Sequence, residues 1–159
     1  MLRQPGKTGF SLIELVVVVV ILAIIAGVAI PRMSRGASGA GEAALKQNLK
    51  SLRTAIELYR SEHNGQFPSE DDCKRQLIRY TDIDGGYNGK ATATHIYGPY
   101  LYKIPRLPVG GNAGNDGIKT TGVLGNGTRG WFYDHETGSI RSNTKDTELD
   151  SNGNPYNTY

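Results

Sequence analysis

One apolar run limits what this chain can fold into. Phe10 to Ile30 spans 21 residues, and as an α-helix it would extend roughly 31 Å, the thickness of a bilayer's hydrocarbon core. The run therefore predicts a transmembrane helix over residues 10–30. It contains a single charge, Glu14, and a carboxylate in a membrane helix costs on the order of 2.5–3.5 kcal/mol at the bilayer centre and less near its edge. Either Glu14 lies at the interface or a cation neutralises it.

The residues alone allow two interpretations of this N-terminus. A secretory signal peptide would use Gly27-Val28-Ala29 as its cleavage site, but the run is long for a signal and begins with Glu14. A plain membrane anchor would hold Arg3 and Lys7 in the cytoplasm and everything after Pro31 outside, by the positive-inside rule. The anchor explains the length of the run and leaves its carboxylate unexplained.

A third interpretation rests on a resemblance. The stretch Lys7 to Leu15, KTGFSLIEL, resembles the processing site of type IV pilins and type II secretion pseudopilins. The resemblance implies that a prepilin peptidase cuts after Gly9 and methylates the new N-terminal amine of Phe10. Residues 1–9 are then a leader. It further implies that Glu14 pairs with the N-terminal amine of another subunit, because an unpaired charge in an apolar filament core is heavily penalised.

The residues after the apolar run predict the second half of a long helix. Pro31 lacks an amide donor and should kink the helix near the end of the membrane span. Gly36, Gly39 and Gly41 weaken it further, each by about 1 kcal/mol against Ala. An apolar stripe then follows at spacings of four and three: Leu45, Leu49, Leu52, Ile56 and Tyr59. Residues 31–62 are therefore a linker and an amphipathic helix that packs on the chain's own domain; a dimeric coiled coil has the same spacing but needs more heptads.

Residues 63–159 predict a small globular α+β head. His63 to Pro68 should end the long helix, with Gly65 as a left-handed cap. A short helix is predicted from Ser69 to about Arg79, with Cys73 as a small core residue. Beyond it the chain is rich in glycine and predicts turns and short strands.

The strands of the head are predicted from short apolar patterns. Gly130 to Asp134 and Ser139 to Ser142 should form a hairpin with Gly138 in its turn, and Thr120 to Leu124 a third strand. The expected sheet is antiparallel, with one face against residues 45–59. Three further residues are predicted to pack beneath the long helix: Tyr100, Leu101 and Ile104.

The acidic C-terminal segment is a candidate metal site. Asp146, Glu148, Asp150 and Asn152 offer four oxygen ligands on alternate residues, the spacing with which a calcium loop begins. No Glu closes a full loop, so a solvated acidic tail is the alternative. Major pseudopilins hold calcium near their C-terminal sheet, and the resemblance therefore implies a possible calcium ion, although no cofactor is required.

Charge and composition argue against two other functions. The formal charge of +3 falls to +1 without Arg3 and Lys7 of the leader, since 16 basic residues then face 15 acidic ones. A nucleic-acid partner is therefore not expected. The histidines lack a nucleophile partner in the sequence, so an enzyme is not expected either.

The resemblance implies a mechanical function and a pilin fold, with a long kinked helix packed on a small sheet. The subunit would wait in the bacterial inner membrane as a single-pass protein with its C-terminal domain in the periplasm, and then enter a periplasmic or extracellular homo-oligomeric filament. Its partners would be the prepilin peptidase, an inner-membrane assembly platform and minor pilins or pseudopilins.

Two details bear on the choice within the family. Ile104-Pro105 in the helix-to-sheet loop, and the lack of a cysteine pair, favour a type II secretion pseudopilin. Leu107 to Gly110, LPVG, lacks the Asp-Pro-Trp-Gly of typical major pseudopilins. A type IV pilus pilin for adhesion, motility or DNA uptake is the first alternative. A periplasmic binding module on a plain anchor is the second.

Overall fold

A computed structural model describes the backbone of residues 11–159 and the side chains of residues 11–27 and 39–159. Its elements, in chain order, are α1 (Leu12–Glu62), α2 (Cys73–Ile78), β1 (Tyr80–Thr81), β2 (Tyr87–Asn88), β3 (Ile118–Lys119), β4 (Trp131–Tyr133) and β5 (Ile140–Ser142), followed by a 3₁₀ turn at Tyr156–Thr158. This is the predicted α+β class, consistent with a pilin fold. The chain divides into two compact units, Met1–Ala37 and Ser38–Tyr159.

The backbone of α1 is helical from Leu12 to Glu62. It includes the stretch from Pro31 to Gly41 that the sequence predicts to be weak. The side chains of residues 28–38 lie outside the described residues, so the predicted kink at Pro31 stays a prediction.

The predicted apolar stripe of α1 faces the core of the head. Its five members, Leu45, Leu49, Leu52, Ile56 and Tyr59, are each at most 2% exposed. They form one cluster with buried residues of α2, the sheet and the loop before β3, among them Leu77, Ile104, Leu107, Trp131, Tyr133 and Ile140. Burying one such side chain contributes about 1.5–3 kcal/mol. The chain's own head therefore covers the stripe, as predicted.

The end of α1 differs in one detail from the prediction. The helix ends at Glu62, although the His63 amide still donates to the Tyr59 carbonyl at 3.0 Å, and the Gly65 amide donates to the Arg60 carbonyl at 2.9 Å. Asn64 is the first residue with a positive φ, 56°, and Gly65 follows at 81°. This six-to-one hydrogen bond is that of a Schellman cap, in which the left-handed position belongs to Asn64 and Gly65 comes after it. Asn is the non-glycine residue that tolerates this conformation best.

The predicted hairpin is confirmed. β4 and β5 are antiparallel, with Trp131 opposite Ser142 and Tyr133 opposite Ile140. All four of these residues are fully buried, as expected for one face of a strand pair. Gly138 lies in the connecting turn with a φ of +71°.

The other strands correct the prediction. The third strand is β3 at Ile118–Lys119, not residues 120–124, and it pairs with β4 in parallel. The sheet is therefore mixed and not wholly antiparallel. Gly122 and Gly125 have φ values of +83° and +77°, which turn the chain where a third strand was expected. β1 and β2 form a separate antiparallel pair that the sequence analysis did not find.

Two glycines in open space provide a test of the α1 backbone. An added Cβ would meet nothing within 4 Å at either Gly39, inside the helix, or Gly65, where φ is +81°. Gly39→Ala should therefore stabilise the protein by about 1 kcal/mol through helix propensity. Gly65→Ala should destabilise it by about 1–2 kcal/mol, because an L-residue is strained in the left-handed region. Thermal unfolding followed by circular dichroism tests both, and shifts of the same sign would contradict this account.

Candidate processing and assembly segment

The predicted cleavage site lies at the edge of the structure. Gly9 and Phe10 are outside the described residues, so the roles assigned to them stay predictions. The described chain begins with Ser11, immediately before α1.

Ser11 and Glu14 form the start of α1. The Ser11 amide donates to Glu14 Oε2 at 3.4 Å, and the Ser11 carbonyl accepts the first helical hydrogen bond, from the Leu15 amide, at 3.2 Å. This is the contact by which the third helical residue of a capping box reaches back to the residue that precedes the helix. A carboxylate here is also favoured by the positive end of the helix dipole.

The sequence analysis missed this capping role. Its signal was nevertheless present, since Ser11-Leu12-Ile13-Glu14 fits the pattern S-x-x-E before an apolar run. Glu14 therefore has a local function in a single subunit, besides the pairing between subunits that the resemblance implies.

Large apolar side chains surround the first turns of α1. Those between Leu12 and Ile25 are 47–81% exposed, a density of exposed apolar surface that soluble monomers rarely carry. Within the described residues, no helix is both long enough and apolar enough to cross a membrane. The predicted span, residues 10–30, extends past the described side chains at both ends.

The C-terminal carboxylates have partners within the head. Asp150 Oδ1 accepts from the amides of Asn152 and Asn154, both at 2.8 Å, and Oδ2 accepts from the Tyr159 hydroxyl at 2.5 Å. The Tyr159 hydroxyl and these amides lower the pKa of Asp150 to about 2, because each stabilises the charged form.

This lowered pKa predicts a dependence of stability on pH. An Asp with a folded pKa below its unfolded value, here 3.8, stabilises the fold above that value and loses its contribution as the pH falls toward the folded pKa of about 2. Tyr159→Phe removes the largest of the causes. We expect the Asp150 carboxyl, followed by NMR, to titrate at a higher pH in this variant, and an unchanged titration curve would contradict the assignment.

The other predicted calcium ligands contact different parts of the head. Asp146 Oδ1 accepts from Asn157 Nδ2 at 2.8 Å, while Glu148 accepts from the Gly111 amide and, at 2.7 Å, from the Lys145 amide. Among the described residues, no group of three or more His, Cys, Asp or Glu side chains is placed to hold a metal ion. Calcium binding at these residues stays a prediction, and it would require the carboxylates to exchange these hydrogen bonds for metal contacts.

A buried carboxylate in α1 holds the C-terminal segment. Glu42 is 8% exposed and accepts from the amide and the hydroxyl of Ser151, at 2.8 and 2.9 Å. Farther along α1, Arg53 Nη2 donates to the main-chain oxygen of Tyr159 at 2.6 Å. The last residues of the chain are therefore tied to the helix at two points, which the sequence analysis did not predict.

Comparison with known families gives one match. Residues 5–30 match the prokaryotic N-terminal methylation motif. No curated protein and no solved structure matches the chain. The motif points to a structural subunit that is processed by a prepilin peptidase, anchored in a membrane and then assembled into a filament, rather than to an enzyme. The motif at residues 5–30 thus supports membership of the type IV pilin-like family.

Proposed function

We propose that this chain is a pseudopilin of a type II secretion system, cut after Gly9 and N-methylated at Phe10. The match of residues 5–30 to the methylation motif supports the filament subunit. The choice of a pseudopilin rests on the Ile104-Pro105 loop and on the cysteine content. Cys73 is the only cysteine and is buried, and burial raises its pKa to about 12. It is therefore a core thiol and does not close a C-terminal loop.

The exposed apolar segment of α1 suits a subunit that moves between two apolar environments, the membrane and the filament core. Burying a single exposed Leu or Ile side chain gains about 1.5–3 kcal/mol, so the side chains from Leu12 to Ile25 gain from any apolar partner. Lipid supplies that partner while the subunit waits in the inner membrane. The same segments of neighbouring subunits supply it in the filament, so assembly exchanges one apolar environment for another.

Glu14 fixes the axial position of neighbouring helices when subunits move from the membrane into the filament. Its contact with the Ser11 amide, 3.4 Å, is longer than the usual N–H···O range of about 2.7–3.2 Å. Exchanging this contact for one with the charged N-terminal amine of another subunit therefore loses little stabilisation of Glu14. In an apolar core this ion pair forms at only one axial offset between neighbouring helices, because every other offset leaves both charges unpaired.

The head supplies the surface of the filament. Glu42 and Arg53 hold its C-terminal segment to α1, so a force on the helix reaches the head through hydrogen bonds as well as apolar contacts. The proposed partners are other copies of the chain, minor pseudopilins and an inner-membrane assembly platform.

One observation favours a type IV pilus pilin instead. Residues 107–110 read LPVG where typical major pseudopilins have Asp-Pro-Trp-Gly. Leu107 and Val109 are buried against the core, 1% and 8% exposed, so this segment acts as packing. Deleting the gene separates the two functions: a pseudopilin mutant fails to secrete proteins, and a pilin mutant loses surface pili.

The mature N-terminus tests the proposal directly. Mass spectrometry of the protein from cells with prepilin peptidase should show a chain that begins with N-methylated Phe10, and from cells without it the uncut chain. A chain that keeps Met1 in both strains would indicate a plainly anchored periplasmic module. A chain that begins near Ile30 would indicate a secreted protein.

Calcium stays a separate prediction with its own test. If Asp146, Glu148, Asp150 and Asn152 rearrange around the ion, added calcium should raise the melting temperature of the protein and a chelator should reverse the rise. Equal melting temperatures with calcium and with chelator would contradict the site.

A further inference from the structure

The chain contains four Asn-Gly pairs, beginning at Asn64, Asn88, Asn126 and Asn152. In such a pair, the glycine amide nitrogen can attack Cγ of the asparagine. A bond from that nitrogen to Cγ forms, the nitrogen loses its proton, and the side-chain nitrogen leaves as ammonia. Water then opens the cyclic imide at either carbonyl and produces aspartate or isoaspartate. Glycine adds no side chain that hinders the attack, so by sequence alone the four pairs are equivalent.

The structure restrains two of the attacking amides. The Gly65 amide donates to the Arg60 carbonyl at 2.9 Å in the cap of α1, and the Gly153 amide donates to the Asp150 carbonyl at 3.1 Å. Attack by either nitrogen requires its hydrogen bond to break and the surrounding turn to open. Asn64 and Asn152 are therefore protected in the folded protein.

Asn88 is restrained in another way. It belongs to β2, where it lies opposite Tyr80, and its Oδ1 accepts from the Lys90 amide at 3.2 Å. The strand pairing limits the backbone rotation that would bring the Gly89 nitrogen to Cγ, and the hydrogen bond holds the side-chain amide in one orientation.

Asn126 lacks both of these restraints on the reacting groups, although its main-chain carbonyl accepts two hydrogen bonds. Its residue is exposed, and among the described residues neither its side chain nor the Gly127 amide makes a hydrogen bond. A Cβ added at Gly127 would meet nothing within 4 Å, and the same holds at Gly65, Gly89 and Gly153, so the hydrogen bonds and not the space at the glycine distinguish the four pairs. We propose that Asn126 is a site of spontaneous deamidation and the first of the four pairs to react in the folded protein.

The reaction would alter a loop that depends on this residue. The Asn126 carbonyl accepts from Lys119 Nζ at 2.9 Å and from Asn143 Nδ2 at 3.3 Å. Isoaspartate inserts a methylene group into the main chain and moves that carbonyl. The buried Asn143, which also holds the Gly125 amide at 2.7 Å, then loses one of its partners.

Trypsin separates the four sites for measurement. Cleavage after Lys and Arg places them in four different peptides, residues 61–74, 80–90, 120–129 and 146–159. The full-length protein in detergent is incubated in mildly alkaline buffer, digested briefly, and the conversion of amide to acid is followed by mass spectrometry. Asn126 should react at least about five times faster than Asn64 and Asn152, since one broken hydrogen bond accounts for about that factor. In urea, which unfolds the protein, the four deamidation rates should become similar.

Two outcomes would overturn the proposal. One is that Asn64, Asn88 or Asn152 reacts as fast as Asn126 in the folded protein, and the other is that the same order persists in urea. Asn126→Gln is the control variant, because its longer side chain closes a ring much more slowly. It should remove the signal from peptide 120–129 and leave the other three rates unchanged. The test does not depend on filament assembly, so the proposed function and this site can fail separately.

Discussion

Glu14→Gln is expected to abolish filament assembly while the subunit still inserts into the membrane. Gln has the size of Glu and can also accept from the Ser11 amide, since capping boxes use either residue. The variant therefore keeps the hydrogen bond from the Ser11 amide, which is 3.4 Å long to Glu14 Oε2, and loses only the charge. Removing one partner of a buried charge pair costs about 3–5 kcal/mol, roughly a hundredfold or more in the assembly equilibrium.

Filament formation is measured in whole cells by cross-linking neighbouring subunits and quantifying the multimers by immunoblot, together with the membrane content of the subunit, so that periplasmic and surface filaments are both detected. Glu57→Gln is the matched control, because Glu57 lies on the same helix with its side chain 64% exposed and makes only a 3.6 Å contact with Arg60. Exposed ion pairs of this kind contribute little, so filament yield should be normal. Equal yields from the Glu14 variant and the Glu57 variant would refute the charge pairing.

Trp131→Ala should cause the largest loss of stability in the head. Trp131 is fully buried in the central strand β4, and its Nε1 donates to the Pro105 carbonyl at 2.8 Å. Truncating a buried Trp costs about 3–5 kcal/mol through lost burial and the cavity left behind. A domain of this size has about 5–15 kcal/mol in total. Chemical denaturation should therefore show that the variant has little remaining free energy of unfolding.

Two further variants separate the contributions at this position. Trp131→Phe keeps most of the ring and removes the donor, so it should cost less than Trp131→Ala and leave the Pro105 carbonyl without its partner. Tyr102→Ala removes an aromatic side chain that is 97% exposed and should change stability by no more than about 0.5 kcal/mol. If Trp131→Ala costs no more than Tyr102→Ala, the core is assigned wrongly.

The parts of the fold that were predicted correctly depend on neighbours in the sequence. The stripe from Leu45 to Tyr59 follows the helical period, and a period is visible in a single chain. The turn at Gly138 and the strands beside it were found for the same reason, since turn residues act over a few positions. The capping contact of Glu14 was equally local, and its pattern was there to be recognised.

The parts that were missed depend on segments far apart in the chain. β3 pairs in parallel with β4 across a long loop, and two-residue strands carry no period that predicts a partner. Glu42 binds Ser151 across 109 positions, and Asp150 binds Tyr159 rather than joining its acidic neighbours.

The sequence by itself determined the N-terminal motif, the register of the buried helix face and the hairpin, because each depends on residues a few positions apart. Only the tertiary structure decided the direction of β3, the hydrogen-bond partners of the C-terminal carboxylates and which Asn-Gly pair is open to attack. These depend on which distant groups the fold brings within hydrogen-bond distance, and composition and spacing do not carry that information.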